Sequence, residues 1–244
     1  MEDISIQKLL DTGAHFGHLT RKWHPKMEPY IFMEKNSIHL IDLNKTKSQL
    51  EDAVNMISQA VENGGTVIFV GTKKQAKGLI RAEAERCGMY YVTERWLGGT
   101  LTNFATIRRS IKKLEKFEEE AASMYEGLNK KEVLTLERER VKLDNVFRGI
   151  KAMKRLPDIV VIVDAKHEET AVKEANKLEI PIIAMVDTDT DPSNIDHVIP
   201  ANDDSLRTIS IIIQKLTDSV INALERRRDK LEAETVEVAE VEEK

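Results

Sequence analysis

Short runs of apolar residues recur along the chain, each followed by a stretch whose apolar positions return every three or four residues. Thr66 to Val70, Ile159 to Val163 within DIVVIVD, and PIIAMVD at 181–187 have strand length. Their near-continuous Val and Ile predict strands buried on both faces. Ile38 to Leu43 (IHLIDL), Tyr90 to Thr93 and His197 to Ile199 read as shorter strands. The intervening pattern is helical. Asn44 is placed to cap a helix running to about Glu62, with Leu50, Val54, Ile57 and Val61 on one face and Asn63-Gly64-Gly65 stopping it. Further helices are expected over 5–12, 73–87, AKHEETAVKEANKL at 165–178, and 205–228. GAHFGHLTRKWHPKMEPYIF, residues 13–32, has no clean period and reads as an ordered loop.

Apolar strands alternating with amphipathic helices define βαβ units, so the fold class is α/β, with a Rossmann-like αβα parallel sheet. Residues 104–156 stand apart. They show no strand pattern and carry 14 basic against 9 acidic residues. Ile107, Ile111, Leu114, Ala121 and Tyr125 follow a 3–4 spacing interrupted at Glu118, and Leu136, Leu143, Val146, Ile150 and Met153 continue it. A reversal near Glu126-Gly127-Leu128-Asn129 makes this an inserted, protruding helical hairpin of coiled-coil type. Residues 1–103 and 157–228 together form one α/β domain on this reading.

Composition adds little until charge is located. The net charge of −5 is that of the tail alone. Leu231 to Lys244 holds six Glu and one Lys, so residues 229–244 read as an acidic, disordered segment. The body is neutral but segregated, with basic clusters at Arg21, Lys22 and Lys26, at Lys73, Lys74 and Lys77, and at Arg108, Arg109, Lys112 and Lys113. The single cysteine, Cys87, fits a buried helix residue in a reducing compartment. An acidic N-terminus without an apolar core, and apolar runs far below the roughly 20 residues of a membrane helix, point to a soluble cytoplasmic protein with no membrane partner.

The candidate chemistry begins at TVIFVGTKKQAKG. Strand, glycine and cationic helix start resemble a phosphate loop, but the second glycine and the Lys-Ser/Thr pair of a P-loop are absent, as is the second glycine of the dinucleotide fingerprint. The reading left is a phosphate contact at a helix N-terminus, or plainly solvated lysines. His15, His18 and His24 lack the spacing of a zinc helix. Asp187-Thr188-Asp189-Thr190-Asp191 opens like a calcium loop, yet Pro192 and Val198 stand where Gly and Glu are required. These aspartates, with Asp203 and Asp204, follow strands and so fall on the carboxyl edge of the sheet. Arg95-Trp96-Leu97-Gly98-Gly99 offers a planar cation and either a stacking face or a tryptophan lid over the sheet. No Ser/His/Asp order, nucleophile elbow or catalytic carboxylate pair stands out.

GAHFGHLTRKWHPKMEPYIF, VGTKK, RWLGGTLTNF, PDIVVIVDAKHEETAVKEANKLEIPIIAMVDTDTDP and VIPANDDSLR together resemble the bacterial ribosomal protein S-two family, in order and spacing, over residues 4–228. The resemblance implies the α/β domain with its hairpin and no catalysis. It implies contact with small-subunit rRNA between head and body on the solvent side. Its expected partners are neighbouring small-subunit proteins and, where present, the OB-repeat mRNA-binding ribosomal protein. Arg21, Lys22, Trp23 and Lys26 match the family motif and are the first expected rRNA contacts, followed by Lys73, Lys74, Arg95, Arg108, Arg109 and Lys112 on charge and placement. No cofactor is required. The family admits one divalent ion, held by His18, Asp187, Asp189 and Asp204; oxygen ligands favour magnesium and His18 tilts towards zinc. The competing expectations are a Rossmann-type nucleotide enzyme, disfavoured by the missing glycines, and a scaffold acting through residues 104–156.

Overall fold

The computed structural model describes residues 4–119 and 128–242, with side chains to residue 233. Five strands form a wholly parallel sheet in the order β5-β4-β6-β7-β8: β4 (Val67–Val70), β5 (Tyr90–Val92), β6 (Ile159–Val163), β7 (Ile182–Val186) and β8 (His197–Pro200). Their alternation assigns each residue to a face. Val67 and Phe69 pack with α2 (Leu43–Glu62), α3 (Lys77–Cys87) and α7 (Leu206–Glu242). Ile68 and Val70 pack with α4 (Phe104–Glu119) and α6 (Glu169–Lys177). Both faces are dry, which is why β4, β6 and β7 read as unbroken apolar runs. Burying one such Ile or Phe contributes roughly 2 kcal/mol. Strand order reverses direction between β4 and β6, so the loops after these strands face each other at the carboxyl edge.

Residues 13–32 are not a loop alone. Short strands β1 (Phe16–Leu19) and β2 (Ile31–Lys35) flank β3 (Ile38–Ile41) in a separate antiparallel sheet. The expected strand at 38–43 therefore pairs here and not in the parallel sheet. Turns of 3-10 helix at Thr20–Lys22 and Pro25–Tyr30 lie between them. The small sheet docks on the end of β7, where the Thr188 hydroxyl meets the His18 amide at 2.9 Å and the His24 amide donates to the Thr188 carbonyl at 2.8 Å. A Cβ at Gly17 would stand 2.6 Å from the Thr188 methyl and 3.0 Å from the His39 carbonyl, so this approach requires glycine.

Three boundaries differ from the periodic reading. Asp42, not Asn44, caps α2, its carboxylate accepting the Asn44 amide at 2.9 Å. Helix α3 starts at Lys77, leaving Lys73 and Lys74 in the preceding turn. Helix α7 does not end at 228 but continues to Glu242. Residues 229–242 contain neither Gly nor Pro, and Glu, Ala and Leu favour the helix.

Helices α4 and α5 (Lys130–Phe147) lie against each other, joined by a 2.7 Å ion pair between Lys113 and Glu139. Asn129 starts α5 with a capping box to Glu132. Ile107, Ile111 and Leu114 are buried in the same cluster as the sheet residues Ile68 and Val160, as are Ile150 and Met153. The roots of residues 104–156 are thus part of the α/β core. Ala121, Tyr125, Glu126 and Gly127 lie outside the described residues.

Candidate nucleic-acid interface

The loops at the carboxyl edge bring together residues far apart in sequence. Lys73, after β4, places its ammonium 2.7 Å from Asp203, 2.6 Å from Asp204 and 3.2 Å from Asp164. Burial opposes the Lys73 charge, but the bonds to Asp203 and Asp204 outweigh it and raise its pKa. Burial, together with Asp164, pushes the Asp203 carboxyl up to about 7. His18 joins from β1, with Nδ1 3.0 Å from Asp187 and Nε2 3.7 Å from Asp204. Contact with Asp187 raises its pKa to about 9. Asp189 is drawn to Lys166 at 2.6 Å. Asp164 adopts a left-handed backbone, φ 65°, directly after β6, a conformation that clusters at functional sites.

His18 lies beside both Asp187 and Asp204, whereas Asp189 pairs with Lys166. The donor chemistry suits a divalent ion, but among the described residues no three such groups are arranged to hold one. The Lys73 ammonium supplies the positive charge at the centre of these carboxylates.

The expected rRNA contacts fall into two groups. Arg21, Lys22, Lys74, Arg95, Arg109 and Lys112 are exposed. Trp23 is half-buried with its ring 5.0 Å from that of His39, and Arg108 donates to the Lys151 carbonyl at 3.0 Å. Lys26 is exposed but bonded to Asp191 at 3.1 Å and Ser193 at 2.6 Å. Lys73 is held inside the acidic cluster. Trp96 is packed and not a stacking face: it is buried, and its indole N–H donates to Glu174 at 3.1 Å. Cys87 is buried and its thiol is pushed up to about 11 by burial, leaving it inert.

Asp164, Glu168 and Glu174 went unmarked in the pattern of the chain. The signal for Glu174 is its position on the apolar side of α6, three residues from Ala171 and one from Ala175. A charge on that stripe has to be satisfied internally.

These features define a class: a doubly wound α/β layer of the nucleotide-binding kind, its crevice closed by its own ion pairs and its rim set with cations. Within that class the chain belongs to the ribosomal protein S2 family, whose model matches residues 9–223. It is 50% identical over 240 residues to the small ribosomal subunit protein uS2 of Chloroherpeton thalassium, covering 98% of this chain and 96% of that one. Its identity to the uS2 of Geotalea uraniireducens is 47% over 236 residues, 96% of this chain and 92% of the relative. Members of this family are structural ribosomal proteins of the small subunit, and the chain is accordingly not an enzyme.

Proposed function

We propose that this protein is a structural constituent of the small ribosomal subunit in the cytoplasm, binding small-subunit rRNA at the head/body junction on the solvent side. The observation that carries the reading is the set Arg21, Lys22, Lys74, Arg95 and Lys112, exposed cations with no acidic partner among the described residues. Phosphate backbone supplies the missing negative charge, and contacts of this kind position a protein on RNA without reading its sequence. Trp23, Lys26, Arg108 and Arg109 extend this surface, and residues 104–156 carry it outward as an inserted hairpin. Lys73 serves from within by holding the acidic cluster together.

A protein partner is supported by a different surface. Phe32, 68% exposed, and Leu10 line a groove of about 260 Å³ together with Leu40 and His15, and Phe16 is exposed nearby. Apolar surface of this kind suits a neighbouring ribosomal protein, including the OB-repeat mRNA-binding one.

Co-sedimentation with small subunits through sucrose gradients at graded salt tests the rRNA reading. Wild-type occupancy falls as salt rises, with a slope of about −0.7 to −0.9 per phosphate contacted. Replacing Arg21, Lys22 and Lys26 with Ala lowers occupancy and flattens the slope. Occupancy unchanged at every salt concentration would overturn the assignment of this segment.

A further inference from the structure

Two buried carboxylates beside the cationic loops have no cationic partner among the described residues. Glu174 on α6, 7% exposed, accepts five hydrogen bonds from one loop. The Trp96 indole at 3.1 Å and the Gly99 amide at 2.7 Å donate to Oε1. The Leu101 amide, the Thr102 amide and the Thr102 hydroxyl, each at 3.0 Å, donate to Oε2. Gly99 turns its N–H inward at φ +90°, a conformation side chains avoid. Six residues earlier Glu168, 4% exposed, accepts the Thr72 amide at 2.7 Å and the Thr72 hydroxyl at 2.6 Å.

Backbone amides converging on an anion make the concavity with which loops bind phosphate. Here the loop after β5 forms such a concavity around Glu174 of α6, while the loop after β4 gives Glu168, the residue before α6, one amide and one hydroxyl, both from Thr72. Burial opposes ionisation of Glu174, but the Thr102, Gly99 and Leu101 amides and the Trp96 indole overcome it and depress its pKa. The loops are therefore ordered before any nucleic acid arrives, which removes an entropic cost from binding. The first loop carries Lys74; the second carries Arg95 and leads into α4 with Arg108 and Arg109.

We propose that Glu168 and Glu174 are positioning residues for the nucleic-acid surface: by tethering Thr72 in the 71–76 loop and filling an anion nest in the 95–103 loop, they set Lys74, Arg95 and the start of α4 in the geometry that meets a phosphate backbone. This rests on the rRNA-binding reading above.

The two sites differ in a way that supplies the control. Both oxygens of Glu174 are engaged, so Glu174→Gln must turn an amide N–H₂ onto one set of donors and release that part of the loop. Glu168 uses one oxygen, so Glu168→Gln keeps its acceptor whereas Glu168→Ala does not. The experiment compares full-length wild type, these three variants, Arg95→Ala and the double variant Glu174→Gln/Arg95→Ala. Amide hydrogen exchange reads order in residues 95–103, and co-sedimentation with small subunits at graded salt reads binding. Glu174→Gln should speed exchange at Gly99, Leu101 and Thr102 by about tenfold or more, lower occupancy, and flatten the salt slope by about one contact. In the double variant the loss should be less than the sum of the single losses, because the misplaced Arg95 no longer contributes. Glu168→Ala should lower occupancy and Glu168→Gln should restore it, which keeps the idea testable if Glu174→Gln does not fold. Full additivity, or faster exchange with wild-type occupancy and slope, overturns the inference while leaving the rRNA reading intact. Failure of wild type itself to co-sediment removes both.

Discussion

The carboxyl edge of the parallel sheet and the outer face of α4 are both rich in cations, but most of those at the edge are paired with carboxylates, whereas Arg108, Arg109 and Lys112 on α4 meet none among the described residues. At the edge, Lys73 is shared by three aspartates, Lys166 is taken by Asp189 and Lys77 by Glu94 at 2.7 Å. On α4, Arg109 bonds only the Thr106 hydroxyl, Arg108 a carbonyl, and Lys112 no acidic side chain among the described residues. The edge is an internal network whose cations stabilise the fold. The helix face offers a positive field to something outside the chain. A basic cluster in a sequence is thus an amount of charge, and the neighbours brought in by folding decide how much of it a partner can meet.

The largest effect that tests this contrast is Lys73→Met. It strips the cation from Asp203 and Asp164 and costs about 3 kcal/mol of folding stability, read by urea unfolding. The salt slope of small-subunit association should stay at the wild-type value; a slope lowered as much as by the α4 variants would merge the two regions into one surface. Next in size is Arg108→Ala/Arg109→Ala/Lys112→Ala. Stability should stay within about 1 kcal/mol of wild type, while the slope of log affinity against log salt drops by about 2 to 3. Loss of stability without a change in slope would show that these side chains belong to the core.

A smaller effect is pH-dependent. The pKa of Glu174 in the fold lies below its ordinary 4.5, so its stabilisation is complete above that value and is lost as pH falls through the depressed one. Hydrogen exchange in residues 95–103 should therefore accelerate on acidification below about pH 4.5 in wild type, and be already fast and less pH-sensitive in Glu174→Gln. The smallest effect is Lys74→Ala, beside Lys73 but exposed. It should leave unfolding unchanged within about 0.5 kcal/mol and lower the salt slope by no more than about 1.

Much of the fold was legible because β4, β6 and β7 lie between two helical layers, so every position is apolar and the pattern is unmistakable. The antiparallel sheet was not. Its strands are four or five residues long, β1 and β2 are largely exposed, and prolines 25 and 29 and two glycines break any period. The cationic candidates were legible by residue type alone. Their partners were not, because Glu168 and Glu174 look like any glutamates of a solvated helix until the loops they hold are folded against them.

The sequence by itself determined the alternation of strands and helices, the two-faced burial of the parallel sheet and membership of the family, since hydrophobic periodicity and motif spacing are properties of the chain in order. Only the tertiary structure decided that Lys73 is held inside while Lys74 is free. The partner of Lys73 at Asp203 lies 130 positions away, and attraction between charges depends on distance and burial in space, neither of which is written into their separation along the chain.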